Sequence, residues 1–248
     1  MTPQARVRDA VALTIAVFFT VAMAYLYFVA LADPESIRDM SPIVSAAYTL
    51  GKSIQFLLPI AYVFCFDRAR IRPTWPTWHG VPLGVGFALI VGAGMFLLWF
   101  AWVKHIPGVA EETPARIHEK VMLFRANSPT RFLMLALGIS VVHALAEEYY
   151  WRWFVFGWMR QLVPVTAAIV VSSVGFMLHH IVILGVYFPG HFWTLAIPFS
   201  ICVAVGGGFW AWLYARSGSL YAPWLSHCLV DSAIMAIGFV MLAERYWP

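Results

Sequence analysis

The fold is decided by Phe132–Met159, which reads FLMLALGISVVHALAEEYYWRWFVFGWM. This stretch is apolar over most of its length, and it is long enough to cross a bilayer as a helix, which takes about 20 residues. Two adjacent carboxylates, Glu147 and Glu148, nevertheless lie within it. One charged side chain at the centre of a bilayer costs roughly 2.5 to 3.5 kcal/mol on insertion scales, so a pair needs a functional reason. The stretch therefore predicts a membrane helix that carries acid–base chemistry.

The composition of the whole chain also indicates a membrane protein. Hydrophobic residues make up 62% of the 248 residues and charged residues 11%, whereas a soluble domain has about 25% charged residues. The mean hydropathy is +0.78. A chain of this length has room for about seven to eight crossings joined by short loops. We therefore expect an all-α polytopic membrane helical bundle, with residues 1–248 forming a single integral-membrane domain.

Seven long apolar segments fit this expectation. They are Val11–Leu31, Pro42–Phe66, Val81–Val103, Phe132–Met159, Val163–Tyr187, Thr194–Ala215 and Tyr221–Ala243. An eighth, short or re-entrant crossing stays open. The long polar stretch Lys104–Arg131 has apolar residues at helical spacing between its charges, which predicts an amphipathic helix at the membrane interface. A basic, proline-rich loop is predicted at Asp67–Pro73.

Arginines near the segment ends indicate the orientation. In a model of seven crossings, most arginines of the short loops fall on one side: Arg6, Arg8, Arg68, Arg70, Arg72, Arg160 and Arg216. The positive-inside rule then puts the N-terminus in the cytoplasm, although the basic residues of Lys104–Arg131 fall on the opposite side. No basic stripe forms, so we expect membrane lipid and no nucleic acid as a partner. The expected location is a prokaryotic inner (cytoplasmic) membrane.

The first group of polar residues in an apolar segment is Glu147–Arg152, with the sequence EEYYWR. Glu148 and Arg152 are four residues apart, so they lie one turn apart on a helix and can form an ion pair. Glu147 points about 100° away from Glu148 around the helix axis, so it does not face Arg152. The group could form a charge cluster that only fixes helix packing, but ionisable groups inside membranes are functional by default. His143, four residues before Glu147, is interpreted as a packing or supporting residue.

Two later apolar segments each carry another polar group. His180 lies in the next segment, and its neighbour His179 is a rival that points to a different face of the same helix. His227 and Asp231 are four residues apart in the last segment and share a face. Burial of each polar group costs free energy unless another polar group pairs with it. Contact with Glu147 in one internal cavity is therefore the least unfavourable arrangement. Such a cavity offers a base that deprotonates water and donors that hold an oxyanion.

Other polar or small residues have simpler interpretations. Lys52 is interpreted as a snorkelling or paired side chain. Gly206–Gly208 is interpreted as a point of close helix packing and not as a phosphate loop, because no Lys-Ser/Thr pair follows it. Cys65, Cys202 and Cys228 lack the CxxC spacing that indicates a thiolate zinc site.

The three polar groups together resemble the motifs of the CPBP family, the CAAX proteases and bacteriocin-processing peptidases, also called the Abi family. The matching motifs are Glu-Glu-x-x-x-Arg at Glu147, Glu148 and Arg152, Phe-x-x-x-His at Phe176 and His180, and His-x-x-x-Asn/Asp at His227 and Asp231. Ser217–His227 also resembles the lead-in to that family's third motif. The usual last residue in relatives is Asn, where this chain has Asp231. The resemblance makes residues 132–248 the motif-bearing catalytic half.

This resemblance implies an intramembrane glutamic endopeptidase without a metal or other cofactor. Glu147 would be the general base that activates water. His180 would orient that water or stabilise the developing charge, and Glu148 and Arg152 would brace the helix. The substrate would be a peptide or protein with a membrane-embedded or C-terminal cleavage site.

In the same family pattern, His227 and Asp231 would face the scissile carbonyl, with His227 as donor and Asp231 as its orienting partner. Three alternatives stay open. The first is a metal-dependent intramembrane protease that uses Glu147, His180 and His227 as a His₂Glu site. The second is a proton-coupled transporter, and the third is a non-catalytic membrane protein such as a bacteriocin-immunity protein. The natural substrate, its lipidation and the oligomeric state are left open by the sequence.

Overall fold

The computed structural model describes residues 2–30, 42–66 and 75–247. In these ranges the chain forms helices and no strands. The helices are α1 (Pro3–Ala30), α2 (Pro42–Phe66), α3 (Val81–Ala101), α4 (Val109–Leu123), α5 (Pro129–Met159), α6 (Val165–Tyr187), α7 (Phe192–Ser217) and α8 (Tyr221–Tyr246). The loop predicted at Asp67–Pro73 lies outside the described residues.

Seven helices of the described ranges are long and apolar enough to cross a membrane. Only α4 is not among them, and it lies in the polar stretch where the sequence predicts an amphipathic helix. The predicted all-α polytopic bundle is therefore confirmed, and the chain is an integral membrane protein.

Small residues allow close contact between neighbouring helices. α3 packs along α8, and α6 packs along α7. A Cβ atom added to Gly84 of α3 would lie 3.0 Å from the carbonyl oxygen of Ala222. A Cβ atom added to Gly207 of α7 would lie 3.1 Å from the ring of Phe176. Such close approach matters in a bilayer, because van der Waals packing holds helices together where lipid is as apolar as the side chains. Gly207 is thus a point of close packing, as the sequence predicts.

The aromatic side chains of α5 occupy the centre of the bundle. Tyr150, Trp151, Phe154 and Phe156 are almost fully buried. The hydroxyl of Tyr150 donates to the carbonyl oxygen of Ala16 on α1 at 2.8 Å. Because α5 also contacts α2, α6 and α7, its side chains are enclosed by protein on several sides.

The winding of α5 changes on both sides of the two glutamates. Gly138–His143 and Tyr149–Phe156 are π-helical, and the intervening Ala144–Glu148 is α-helical. π-helical turns are rare and occur frequently at functional sites. Each such turn shifts the following side chains around the helix relative to a regular α-helix. The directions of the glutamates therefore depend on this local winding and not on residue spacing alone.

Helix α4 carries a buried cation outside the membrane spans. Lys120 is 5% exposed, and its Nζ has no hydrogen-bond partner among the residues that the structure describes. The ammonium lies 5.5 Å from the ring centre of Tyr27 and 5.4 Å from that of Phe28. Burial lowers the pKa of Lys120 below its ordinary value.

The lowered pKa of Lys120 gives a testable pH dependence. The unfolded chain holds this proton more tightly than the folded protein, so the free energy of unfolding should rise as the pH rises from the folded pKa toward the ordinary lysine value of about 10.4. Lys120→Met should remove this part of the rise and stabilise the protein near neutral pH by up to about 1 kcal/mol. Thermal unfolding in detergent from about pH 7 to about pH 10 measures both effects. Lys104→Met is the control, and an identical pH slope in Lys120→Met and wild type contradicts the expectation.

Candidate active site

The polar residues singled out in the sequence meet between three helices. α5 carries Glu147 and Glu148, α6 carries His179 and His180, and α8 carries His227 and Asp231. Glu147 is 8% exposed and Glu148 is fully buried. The three helices thus enclose two carboxylates at the centre of one polar cluster.

Glu147 is surrounded by imidazole rings. Its Oε1 lies 3.5 Å from Nε2 of His143 and 3.6 Å from Nε2 of His179, and its Oε2 lies 3.7 Å from Nε2 of His227. Among the described residues, no arginine or lysine nitrogen lies within 4.0 Å of this carboxylate. All three distances exceed the usual range of an N–H···O hydrogen bond. Glu147 is therefore contacted by three histidines without being held by a short bond.

Glu148 is held much more tightly than Glu147. Its Oε1 accepts a hydrogen bond from Nδ1 of His227 at 2.7 Å and lies 3.0 Å from Nη1 of Arg152. The guanidinium of Arg152 is also buried, 4.6 Å from the ring centre of Phe176 and 5.0 Å from that of Trp210. The ion pair that the four-residue spacing predicts is present, and Glu148 additionally fixes the ring of His227.

His227 lies between carboxylates on both of its ring nitrogens. Nδ1 faces Glu148, while Nε2 lies 3.4 Å from Oδ1 of Asp231 and 3.7 Å from Oε2 of Glu147. The ring stacks on Trp210 with centroids 4.1 Å apart and planes at 18°. Because a carboxylate only accepts, Nδ1 carries a hydrogen. The indole face and the Glu148 bond together fix the orientation of this imidazole.

The two histidines of α6 differ in position. His179, not His180, has its Nε2 within 4 Å of Glu147, and its ring stacks on Trp151 at 5.7 Å and 8°. Nδ1 of His180 instead donates to the carbonyl oxygen of Phe176 at 2.9 Å. The expected direct neighbour of Glu147 is thus corrected from His180 to His179. Adjacent residues on a helix point about 100° apart, and the sequence does not determine which of the two faces meets α5.

His143 and two tryptophans contribute more to the site than the sequence analysis assigned to them. His143, interpreted there as a packing or supporting residue, touches Glu147 directly, and its spacing four residues earlier is the signal for this contact. Trp151 and Trp210 form flat surfaces against two of the histidines. Their sequence signal is weak, because aromatic residues make up 17% of the chain.

The geometry bears on metal binding as well. In the described ranges, no group of three or more His, Cys, Asp or Glu side chains is arranged to hold a metal ion. The His₂Glu set of Glu147, His180 and His227 is therefore not formed in this arrangement.

Comparison with protein families adds to this geometry. Residues 129–233 match the family model described as type II CAAX prenyl endopeptidase Rce1-like. These residues form an Rce1-like domain. The Rce1-like domain belongs to the CPBP family, so the resemblance recognised in the motifs is confirmed. It spans α5, α6, α7 and the first part of α8, and it includes all of the polar residues of the cluster. Comparisons with curated proteins and with solved structures give no match.

Proposed function

We propose that this protein is an intramembrane endopeptidase that hydrolyses a peptide bond with water activated by Glu147. The Rce1-like domain supports a membrane protease that acts on membrane-associated protein substrates. The observation that carries the glutamate mechanism is the contrast between two adjacent acids. Glu148 is bound to Arg152 and His227 at 3.0 and 2.7 Å, whereas Glu147 has imidazole neighbours at 3.5 to 3.7 Å. A carboxylate outside a tight ion pair is free to accept a proton from water.

The proposed reaction needs one base and one oxyanion donor. Glu147 takes a proton from a water molecule, and the water oxygen attacks the scissile carbonyl carbon. The carbonyl oxygen becomes an oxyanion, which an imidazole N–H stabilises. When the C–N bond breaks, the protonated Glu147 returns its proton to the leaving nitrogen. One water is consumed, and a carboxylic acid and an amine are formed.

We assign the oxyanion donor to His227. Both of its nitrogens face carboxylate oxygens, of Glu148 on one side and of Asp231 and Glu147 on the other. An imidazolium has an N–H at each nitrogen and therefore satisfies the acids on both sides. In this assignment Asp231 orients the Nε2–H, and Glu148 holds the opposite edge of the ring.

The histidines of α6 receive different roles. The bond to the carbonyl oxygen of Phe176 requires a hydrogen on Nδ1 of His180, so Nε2 of the neutral ring is an acceptor. An acceptor can orient a water molecule but cannot donate to an oxyanion. We therefore propose that His180 orients the water and that His179 positions the Glu147 carboxylate.

We also propose that the N-terminus is cytoplasmic, in a prokaryotic inner membrane. Nη2 of Arg6 donates to the carbonyl oxygen of Leu162 at 3.0 Å, so the start of α1 and the α5–α6 loop lie at the same end of the bundle. This end therefore carries Arg6, Arg8 and Arg160 together, as the positive-inside rule requires of a cytoplasmic face.

Mass spectrometry of membrane-protein termini tests the proposed function. Cells that produce the wild-type protein are compared with cells that produce Glu147→Gln. We expect shortened C-terminal or membrane-embedded peptides only in the presence of the wild type. Glu119→Gln, on the exposed Arg116–Glu119 pair of α4, is the control and should give the wild-type pattern. Identical peptides in wild-type and Glu147→Gln cells would contradict peptide hydrolysis that depends on Glu147.

The role of Asp231 gives a separate prediction. Asp231→Asn should lower hydrolysis across about pH 6 to 9, the range that brackets imidazole titration, because the amide no longer balances the charge on His227. Loss of a hydrogen bond between charged groups corresponds to a rate decrease of roughly tenfold to hundredfold. A pH–rate profile of both proteins measures the effect, with Ser232→Ala as the neighbouring control. An Asn variant at least as active as wild type throughout rules out the charged pair and supports a neutral donor at this position.

A further inference from the structure

Of the three histidines that contact Glu147 in the described ranges, His143 has no part in the proposed reaction. Its Nε2 lies 3.5 Å from Oε1 of Glu147. Its side chain is 40% exposed, whereas those of His179 and His227 are 6% and 5% exposed. Histidines within membrane spans almost always face the bundle interior or a water-filled cavity. The exposed fraction of His143 therefore marks the side from which water reaches Glu147.

The other imidazole rings of the site are bonded or enclosed at their second nitrogen. Nδ1 of His227 and Nδ1 of His180 donate to oxygen atoms of the protein, at 2.7 and 2.9 Å. Nδ1 of His179 is buried and has no hydrogen-bond partner among the described residues. None of these three rings can take a proton at one nitrogen and release a proton to water at the other. Only His143, in the described part of the site, joins Glu147 to accessible space.

Helix α2 borders His143 on this side of the site. The ring of Phe56 meets that of His143 edge-on at 6.4 Å. Nζ of Lys52, which the sequence predicts to snorkel or to be paired, lies 5.7 Å from the centre of the Phe56 ring and donates to Oε1 of Gln55 at 3.3 Å. Among the described residues, the acid within 4.0 Å of His143 is Glu147. The neighbours of His143 thus leave its contact with Glu147 without a competing acid.

The proposed hydrolysis leaves one proton that must be removed from the site. A water molecule brings two protons, of which the first passes through Glu147 to the leaving nitrogen. The second remains on the new carboxylic acid. When this acid gives its proton to the adjacent Glu147, the glutamate cannot act as a base until that proton leaves. The next turnover therefore requires an acceptor that contacts both Glu147 and water.

We propose that His143 is this acceptor and relays the proton from Glu147 to water between turnovers. This inference rests on the proposed function. Nε2 of the neutral ring accepts the proton, an imidazolium forms, and the proton on Nδ1 passes to water. The products are a peptide carboxylate and a hydronium ion, and Glu147 is again ionised. The distance of 3.5 Å is compatible with this step, because catalytic hydrogen bonds are often long before the substrate binds.

Single-turnover and steady-state kinetics of one variant test the relay. The probe is a synthetic copy of the peptide whose cleavage by the wild type mass spectrometry identifies. His143→Gln keeps a polar side chain beside Glu147 but cannot relay a proton. With protein in excess, its first turnover should proceed at the wild-type rate, whereas kcat with peptide in excess should fall by roughly 10²-fold. His79→Gln, at an exposed histidine before α3, is the control and should match the wild type in both measurements.

Chemical rescue distinguishes a proton relay from a structural role. His143→Ala leaves an opening on the accessible side, where imidazole from the buffer takes the place of the ring. Imidazole should raise the steady-state kcat of His143→Ala as its concentration rises, and it should leave Glu147→Gln inactive. A structural role would not respond to a free base. Thermal unfolding of both His143 variants checks that they are folded.

Chemical modification of the wild-type protein tests the accessibility of His143 without any variant. Diethyl pyrocarbonate acylates neutral imidazole rings that water reaches, so His143 should react faster than His179, as mass spectrometry of the modified peptides measures. Equal or slower reaction of His143 overturns the relay. An unchanged kcat in both variants, a parallel fall of first turnover and kcat, or a lack of rescue also overturns it. These outcomes leave the proposed function standing, whereas cleavage by Glu147→Gln at the wild-type rate would refute that function.

Discussion

Glu147→Gln is expected to abolish peptide hydrolysis while the protein remains folded. The amide has the shape of the carboxylate but cannot take a proton from water, and loss of a general base lowers kcat by roughly 10² to 10⁴-fold. Folding should survive because the ion-pair partners of Glu147 among the described residues are imidazole nitrogens at 3.5 to 3.7 Å. The measurements are kcat/KM on a cleaved peptide and thermal unfolding of the same purified protein.

The neighbouring acid provides the matched control for Glu147. Glu148→Gln introduces the same change one residue later, but it removes the charge opposite Arg152 at 3.0 Å. We expect Glu148→Gln to lower the free energy of unfolding, whereas Glu147→Gln should lower only the rate of hydrolysis. The two variants therefore separate an effect on catalysis from an effect on folding. A Glu147→Gln protein with normal unfolding and normal cleavage would exclude Glu147 as the base.

Arg152→Ala is expected to lower the free energy of unfolding by about 3 to 5 kcal/mol. The substitution removes the guanidinium that lies 3.0 Å from the fully buried carboxylate of Glu148 and leaves His227 to balance that charge. It also removes the packing of this guanidinium between the rings of Phe176 and Trp210. Equilibrium unfolding in mixed micelles measures the loss, and reduced yield of folded protein in membranes should accompany it.

Arg116→Ala is the control for this loss of stability. Arg116 and Glu119 form an ion pair at 3.2 Å, but their side chains are 45% and 43% exposed. Exposed pairs of this kind contribute about 0 to 1 kcal/mol. If Arg152→Ala instead unfolds like wild type and is inactive, Arg152 acts in the catalytic arrangement and not as a brace.

The amino-acid sequence by itself determines the fold class and the segments that form the long apolar helices. A segment that crosses a bilayer must satisfy its backbone polar groups internally, so length and apolarity are enough to predict a helix. The end of α2 at Phe66 and the start of α8 at Tyr221 are found where the apolar segments end and begin. The polar stretch at Lys104–Arg131 likewise contains the predicted helix α4.

Contacts within one helix were also predictable from residue spacing. Glu148 and Arg152 lie 3.0 Å apart, and His227 and Asp231 lie 3.4 Å apart. Four residues complete about one helical turn, so the side chains of such a pair lie close together independently of how the helices pack.

Only the tertiary structure decided the contacts between helices. It selected His179 over His180 as the neighbour of Glu147, joined Glu148 to His227, and placed Nζ of Lys52 beside the amide oxygen of Gln55. These outcomes depend on the rotation of each helix about its axis, which shifts at the π-helical turns of α5. They also depend on the distance between helices, which is short where a small residue such as Gly207 leaves room for the neighbouring helix. Rotation and distance arise from packing across the bundle, so no local pattern in the chain encodes them.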